Sequence, residues 1–531
     1  MPAPRPTSVP EVPLGELVSL VGATLSSGGP HGPVAVRGVS LDSRTVQPGD
    51  LYAALPGFAT HGASFAAEAV ASGAVAVLTD PAGDALLTAA GVTHVPVLVI
   101  SEPRAVLGDV AAVVYGRPAD ALRLIGVTGT NGKTTTAYLI EAALRAMGVR
   151  TGLMGTVETR IGDERLKSSR TTPEATELHA VLALMRERGA TDVVMEVSSH
   201  ALAQHRVDGA VFDVALFTNL SQDHLDFHGS MEDYFAAKAR LFTPEHSRRG
   251  VVCVDDSWGV RLAAQSTVPV VTLGSHLGAV ADWSVRPRTW PELVLTGRHG
   301  SVTLQCHLPG EFNIVNTAMA AVALVEAGYP LSNVAPAMGR EPVVPGRMEL
   351  VTATHPDPRR DPRGIVDYAH TPDAVEAALR ALRSSTPGRL VVVLGAGGDR
   401  DRGKRAGMGA AARRWADDVI VTDDNPRSED PAAIRSEIIE GMRDVLPYDA
   451  DIASGRRGPR WSQSSSAGRA AHIANAVLAA RREGVAGDNT VVVLGKGHET
   501  GQEIAGVVHP FDDRDALRAA LDGLDYRPEA T

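Results

Sequence analysis

The stretch RLIGVTGTNGKTTT, Arg123 to Thr136, decides the fold. Its apolar run (Leu124, Ile125, Val127) has the length and branching of a buried strand, and it ends in Gly129 and Gly132 followed by Lys133 and three threonines. A glycine turn between a strand and a helix presents backbone N–H groups and a helix N-terminus to phosphate. A lysine then reaches the terminal oxygens, and a Ser or Thr hydroxyl holds Mg²⁺. The strict pattern GxxxxGK[ST] fails here, because its first glycine falls on Val127. The working core is Thr128, Gly129, Thr130, Asn131, Gly132, Lys133 and Thr134. A merely tight turn would need neither the lysine nor the threonines in this order.

Outward from this loop the chain repeats one rhythm. The runs DVVMEVSS, VALFTNL, GVVCVDD and VPVVTLG alternate with helical patterns such as MEDYFAAKARLF, as in a mainly parallel α/β sheet. WSVRPRTWPELVLTGRHGSVTLQCHLPG reads as antiparallel strands added at its edge. A smaller α/β unit precedes the loop, and another unit starts near PGRMEL (345–350). The latter carries GIVDYAH, LVVVLGAGG, DDVIVTDDNP and NTVVVLGKGHE, each an apolar strand ending in a polar loop. Ligands bind beyond the carboxyl ends of such strands, so these four loops should converge. The expected division is a disordered lead-in over 1–13 and domains over 14–114, 115–344 and 345–531. SGRRGPRWSQSSSAG (454–468) reads as a mobile surface insertion.

A length of 531 residues exceeds what one core accommodates. A net charge of −11 argues against nucleic acid as a partner, so any anionic ligand must be held by local basic or N–H-rich sites. Two cysteines, Cys253 and Cys306, form neither a CxxC pair nor a disulfide framework, which fits a reducing compartment. MPAPRPTSVPEVP has no apolar signal region, and no apolar stretch is long enough to span a bilayer. The expectation is a soluble cytoplasmic protein without membrane partners.

Two further motifs end strands in chemistry. MEVSSHAL supplies Glu196, Ser198 and His200, and TNLSQDHLDFHG supplies Asn219 and His224. A carboxylate on the strand beside a phosphate loop is the usual metal-orienting partner. Either histidine alone is more often structural, but two such strand ends beside one phosphate loop favour a metal or phosphate role. Lys238 has a plain reading as a helix-surface lysine, which periodicity does not exclude; placed instead beside metal ions its ammonium would be repelled, unless CO₂ converted it to an anionic carbamate. TDDNPRSEDP (422–431) leaves another strand with acids, an amide and Arg427, a set able to grip a ligand carrying both ammonium and carboxylate.

GTNGKTTT, MEVSSHAL, TNLSQDHLDFHG, YFAAKARLF, PGEFNIVNTAMA, PGRMEL, DYAHTPD, GAGGDRDRGKR, DNPR and GKGHE, in this order from about residue 36 to 515, resemble the Mur ligases of peptidoglycan synthesis. The resemblance implies a three-domain Mur ligase architecture, α/β throughout: an N-terminal UDP-sugar-binding domain, a central P-loop ATPase sheet and a C-terminal Rossmann-like domain that brings the amino acid. It implies a monomeric ligase that adds the third stem-peptide residue to UDP-MurNAc-L-Ala-D-Glu through an acyl phosphate. ATP, Mg²⁺ and a CO₂-derived lysine carbamate are the implied cofactors. Lys133, Glu196, His224 and Lys238 would be catalytic, with Thr134, Glu196, His224 and carbamylated Lys238 holding metal. Asn316 would meet adenine, while Arg347 and Asp367 would close over the nucleotide. Leu41, Ser43, Phe58, Ala59 and Thr60 would take the UDP-sugar, and Thr171, Thr172, Ser198, Gln204 and Arg206 its pyrophosphate and peptide. The chain departs from the family's pattern at Phe58–Thr60 and at Arg170, where an asparagine is usual.

DNPR resembles the signature of members that use meso-diaminopimelate rather than lysine. Only the former presents a carboxylate at its far end, which Arg427 can bind bidentately. Arg400, Asp424, Asn425, Pro426, Gly495 and Glu499 would complete that pocket, with Asp424 or Glu499 taking an ammonium.

Overall fold

The computed structural model describes residues 4–26, 33–57, 59–276, 280–289, 291–298, 300–340, 343–357, 359–446, 460–463, 468–482 and 486–527. Phe58 and most of 454–468 lie outside them.

The phosphate-loop strand Arg123–Thr128 is central in an eleven-stranded sheet. Asp192–Glu196 pairs with it on one side and Val214–Phe217 on the other, both parallel, with Glu196 opposite Val127 and Phe217 opposite Thr128. The two chemistry-bearing strand ends therefore flank the loop. Parallel pairing continues outward through Gly250–Cys253 and Val270–Gly274 to Trp283–Pro287. Glu292–Gly297 and Gly300–Gln305 then add the expected antiparallel edge. Helices cover both faces: Ile125 and Val127 pack toward the loop helix Lys133–Ala146 and Glu311–Glu326, whereas Leu124 and Phe212 belong to the opposite core. Each such fully buried aliphatic side chain stabilises the sheet by about 1.5–3 kcal/mol relative to exposure.

The C-terminal sheet orders Glu349–Val351, Arg363–Asp367, Thr490–Leu494, Leu390–Leu394, Asp418–Val421 and Arg460–Gln463, all parallel but the first. Its valine- and leucine-rich central strands are buried on both faces, as parallel sheets require. The N-terminal unit is a five-stranded sheet with Ala76–Thr79 at its middle.

Two expectations are corrected. The lead-in is ordered from residue 4 onward: Arg5 pairs with Asp50 at 2.7 Å, Thr7 N donates to Glu187 at 2.8 Å, and Val12–Pro13 pairs with Ala35–Val36. Prolines suppress helix without preventing such local anchoring. Within 454–468, Arg460–Gln463 forms the parallel edge strand beside Asp418–Val421, because an open sheet edge supplies partners that composition does not reveal.

Candidate active site

The loop is shaped by its glycines. Gly129 (φ +145°) and Gly132 (φ +88°) adopt conformations that L side chains avoid, and a Cβ on either would strike Thr218 or Asn316. Lys133 folds back over the loop, donating to Gly129 O at 2.9 Å and Thr130 O at 2.8 Å. Burial lowers its pKa, opposed by Glu196 and Asp223. Thr134 Oγ1 donates to Glu196 Oε2 at 2.9 Å, and Thr156 N donates to Glu196 Oε1 at 2.7 Å. The carboxylate is thus fixed at the first turn of the loop helix.

Lys238 is buried, 1% exposed, which removes the helix-surface alternative. Its Nζ donates to Gly129 O at 2.8 Å and lies 4.5 Å from the centroid of Tyr234. Burial, then the charge of Lys133, pushes its pKa well below the usual lysine value. His224 has φ +55° and stacks edge-on against His200 at 4.9 Å. Enclosure by the cleft depresses its pKa, with Asp223 opposing.

Among the described residues no group of three or more His, Cys, Asp or Glu side chains is arranged to hold a metal. The residues present nevertheless fit a cation if Lys238 is anionic. Thr134 and Glu196 offer the hydroxyl and carboxylate oxygens that a hard divalent ion takes, while His224, near Lys238, offers an imidazole beside what would be a carbamate oxygen. A neutral buried amine is also the form that adds CO₂.

The third unit reaches this centre. Arg347 Nη2 donates to Thr134 Oγ1 at 3.3 Å, its guanidinium covers the Tyr368 ring at 4.2 Å, and its Nη1 is buried without a partner among the described residues. Asp367 is clamped by Met348 N at 2.7 Å and Ala369 N at 2.8 Å. Its pKa is raised by burial, with Arg347 opposing. Asn316 is held inside: its Oδ1 accepts from Thr136 at 3.4 Å and its Nδ2 donates to Asn313 at 3.0 Å.

The peptide-side residues gather beside Glu196. Thr172 Oγ1 donates to Glu196 O at 2.9 Å and accepts from Ser198 N at 3.0 Å. Thr171 Oγ1 lies 3.0 Å from Thr156 Oγ1, and Ser198 caps a helical turn by accepting from Ala201 N at 3.2 Å. Arg206 donates to Thr172 O and Gln204 Oε1 and faces Glu174 at 3.0 Å. Desolvation lowers the Arg206 pKa, Glu174 opposes it, and the charges of Arg170 and Arg104 add to the lowering. Arg104, Arg170 and Arg206 therefore lie near one another, with Glu174 paired to both Arg104 and Arg206. Ser43 is turned inward to Glu68 at 2.9 Å, Leu41 is half-buried, and Ala59 and Thr60 are exposed away from that cluster's hydrogen bonds.

The four C-terminal loops do converge. Asn425 Nδ2 donates to Glu499 Oε2 at 2.8 Å, and Gly398 N donates to Asn425 O at 2.8 Å. Gly495 (φ +114°) must lack a side chain, since a Cβ would overlap Asp424 Oδ2. Pro426 is buried in the turn, and Arg427 Nη1 donates to Gly398 O at 2.6 Å. Arg400 stands exposed at the rim.

Sequence reasoning missed several residues here. Lys496 is fully buried, with Nζ 3.2 Å from Asn425 Oδ1, 3.3 Å from Glu499 Oε2 and 2.5 Å from Gly501 O. Tyr368 OH donates to Glu499 at 3.4 Å. Asp223 exerts its field on His370 and Lys404 of the third unit as well as on both loop lysines. Lys496 and Asp223 both lie inside quoted motifs, one directly after a buried strand and one beside His224, and those positions were the available signal.

Known protein families match this chain in three stretches. Residues 127–325 match the Mur ligase middle domain, 346–457 the Mur ligase, glutamate ligase domain, and 35–115 the Mur ligase family, catalytic domain. A Streptomyces coelicolor protein named UDP-N-acetylmuramoyl-L-alanyl-D-glutamate–2,6-diaminopimelate ligase is 51% identical over 523 residues, 98% of each chain. A solved structure of a ligase of that name is 32% identical, with TM-score 0.62, covering 92% of this chain and 95% of that one. The Thermotoga maritima MurF ligase, solved with ADP, shares the fold at 16% identity and TM-score 0.58, covering 92% of this chain and 97% of its own.

Proposed function

Since this chain belongs to the Mur ligase family, we propose that it is an ATP-dependent amide-forming ligase joining meso-diaminopimelate to the D-glutamyl carboxylate of UDP-MurNAc-L-Ala-D-Glu. The observation that carries the reading is the juxtaposition of two sites. The phosphate loop with Thr134 and Glu196 touches Arg347 of the unit whose loops assemble Asp424, Asn425, Arg427 and Glu499.

A carboxylate is a poor electrophile, so its oxygen first attacks the γ-phosphorus of ATP, releasing ADP and leaving an acyl phosphate. The free amine then adds to the carbonyl, and the tetrahedral intermediate collapses to amide and phosphate with loss of a proton. Lys133 and Arg347 neutralise charge that shifts between phosphate oxygens, the largest kind of catalytic contribution in such sites. Thr134 and Glu196 would hold one Mg²⁺, and His224 with carbamylated Lys238 would hold a second; these ions would supply further neutralisation. Asn316 lies beside the loop where the adenine would rest, and Asp367 fixes the turn bearing Arg347. Thr171, Thr172, Ser198, Gln204 and Arg206 orient the sugar dipeptide.

In the amino-acid pocket Arg427 receives the distal carboxylate while Asp424 or Glu499 faces an ammonium. Lysine would leave Arg427 without that partner, and sites built around a polar group reject analogues lacking it. The division into 14–114, 115–344 and 345–531 follows this allocation of UDP-sugar, ATP and amino acid. Among the described residues no helix is long and apolar enough to cross a membrane.

The decisive test is ATP-dependent phosphate release with UDP-MurNAc-L-Ala-D-Glu and Mg²⁺, comparing meso-diaminopimelate, L-lysine and L-ornithine in native and Arg427→Ala enzymes. Turnover confined to meso-diaminopimelate and lost in the variant is the expected result. Efficient use of lysine would overturn the assigned role of Arg427, and turnover with none of them would overturn the ligase reading.

A further inference from the structure

Arg427 already has an anionic neighbour. Its Nε stands 3.3 Å from a carboxylate oxygen of Glu503, while its Nη1 is taken by Gly398 O. Glu503 belongs to the hairpin Gly501–Ile504/Val507–Pro510, which backbone bonds peg to the DNPR loop. Arg427 N donates to Glu503 O at 3.0 Å, and Ala505 N donates to Arg427 O at 2.7 Å. Glu503 N donates to Asn425 Oδ1 at 2.9 Å, and Gln502 Nε2 donates to Asp424 O at 2.7 Å. Arg427 is held at φ +54° by this bridge, so carboxylate and guanidinium are kept together by main chain rather than by side-chain choice.

The other acids of the pocket are differently placed. Asp424 and Glu499 face the buried ammonium of Lys496. Glu503 does not; its side chain is 39% exposed and that of Arg427 22%, so this pair lines the mouth through which a ligand's far end arrives.

We propose that Glu503 is a resident counter-ion of Arg427 that sets the affinity and selectivity of the amino-acid pocket. This rests on the reading that Arg427 receives the substrate's distal carboxylate. An arriving carboxylate meets a guanidinium already partly neutralised and a like charge beside it, so Glu503 weakens binding of meso-diaminopimelate. A diamino acid without that carboxylate leaves Arg427 paired with Glu503, so the penalty for the wrong substrate is reduced. Glu503 thus trades selectivity for a pocket mouth that holds no uncompensated charge when empty.

Glu503→Gln removes the charge and keeps the backbone pegs. For a partly exposed pair the expected change is about two- to fivefold. The KM for meso-diaminopimelate falls by that factor at unchanged kcat, and the KM for L-lysine rises. In an Arg427→Ala background, whose turnover is lost, the same substitution leaves the equilibrium dissociation constant of meso-diaminopimelate unaltered, a result that a merely structural role would not produce. An unchanged or raised KM for meso-diaminopimelate in the single variant overturns the proposal; a rise would make Glu503 a direct partner of the distal ammonium. The native enzyme is measured alongside, and failure of its turnover with meso-diaminopimelate overturns the underlying pocket reading instead.

Discussion

Lys133 and Lys238 donate to one carbonyl oxygen: Gly129 O accepts from the first Nζ at 2.9 Å and from the second at 2.8 Å. Two ammonium groups sharing an acceptor, Lys238 buried and Lys133 half-buried, repel each other. The conflict is relieved on the Lys238 side, where burial and the charge of Lys133 both favour the neutral amine. A neutral amine adds CO₂ and releases one proton to solvent, giving an anionic carbamate that would face Lys133 without repulsion. Enzyme prepared in ¹³C-bicarbonate should therefore show a carbamate carbon resonance that is missing from Lys238→Ala. Activity of that variant should fall by roughly 10²–10³-fold and be partly restored by a short carboxylic acid filling the space. A native enzyme without the resonance, and with activity indifferent to CO₂ removal, would sink the carbamate.

The same lysine makes stability depend on pH in a definite direction. Its folded-state pKa lies below its unfolded value of 10.5, so between the two the unfolded chain binds more protons. Unfolding free energy then rises with pH through that window, in buffers freed of CO₂. Lys238→Met should flatten the slope while leaving a residual rise from Lys133, whose pKa is also lowered. Denaturant midpoints measured from neutral to alkaline pH decide this. Equal slopes for the two proteins would show that Lys238 is not buried as an uncharged amine.

Glu196 accepts from Thr134 Oγ1, Thr156 N and Thr156 Oγ1, so its carboxylate is both a structural clamp and the charge nearest the loop hydroxyl. Substitution separates the two roles. Glu196→Gln keeps most of the hydrogen bonding and loses the charge, and should cut kcat by roughly 10²–10³-fold with little change in melting temperature. Glu196→Ala strands the part-buried Thr156 N–H and should add a destabilisation of about 1 kcal/mol. Full activity in Glu196→Gln at saturating Mg²⁺ would remove Glu196 from the metal-holding set.

What the chain announces and what it conceals divide along local and tertiary lines. The phosphate loop, its flanking strand ends and the convergence of the C-terminal loops were legible, because each is an apolar strand followed at once by its chemistry. Lys238 was ambiguous, since the helix Met231–Ala239 is too short and too charged for periodicity to fix a buried face. Its burial comes from a carbonyl 109 residues away. Lys496 was overlooked for a related reason: its partners Asn425 and Gly501 declare themselves only when two strand ends meet. Arg460–Gln463 carries the composition of a loop and becomes a strand because the edge of Asp418–Val421 is open to it.

Arg347 links the third unit to the nucleotide loop, and that link should be visible in kinetics. Its Nη2 reaches Thr134 Oγ1, its face lies on Tyr368, and its Nη1 is buried with no partner among the described residues, an arrangement poised for a phosphate oxygen. An unpaired buried guanidinium donor is costly, so a ligand that supplies an acceptor favours the state in which the units are in contact. Arg347→Ala should raise the KM for ATP and lower kcat by roughly 10²–10³-fold, leaving the KM for UDP-MurNAc-L-Ala-D-Glu within about twofold. Arg347→Lys keeps the charge but loses the planar stack and the two-pronged donor, so it should recover only part of kcat. Steady-state kinetics in ATP and in the sugar dipeptide, with single-turnover ADP release, separate these terms. Equal loss in both KM values would mean that Arg347 supports the fold at large, and a kcat within threefold of native would mean that the contact with Thr134 has no part in the phosphoryl step.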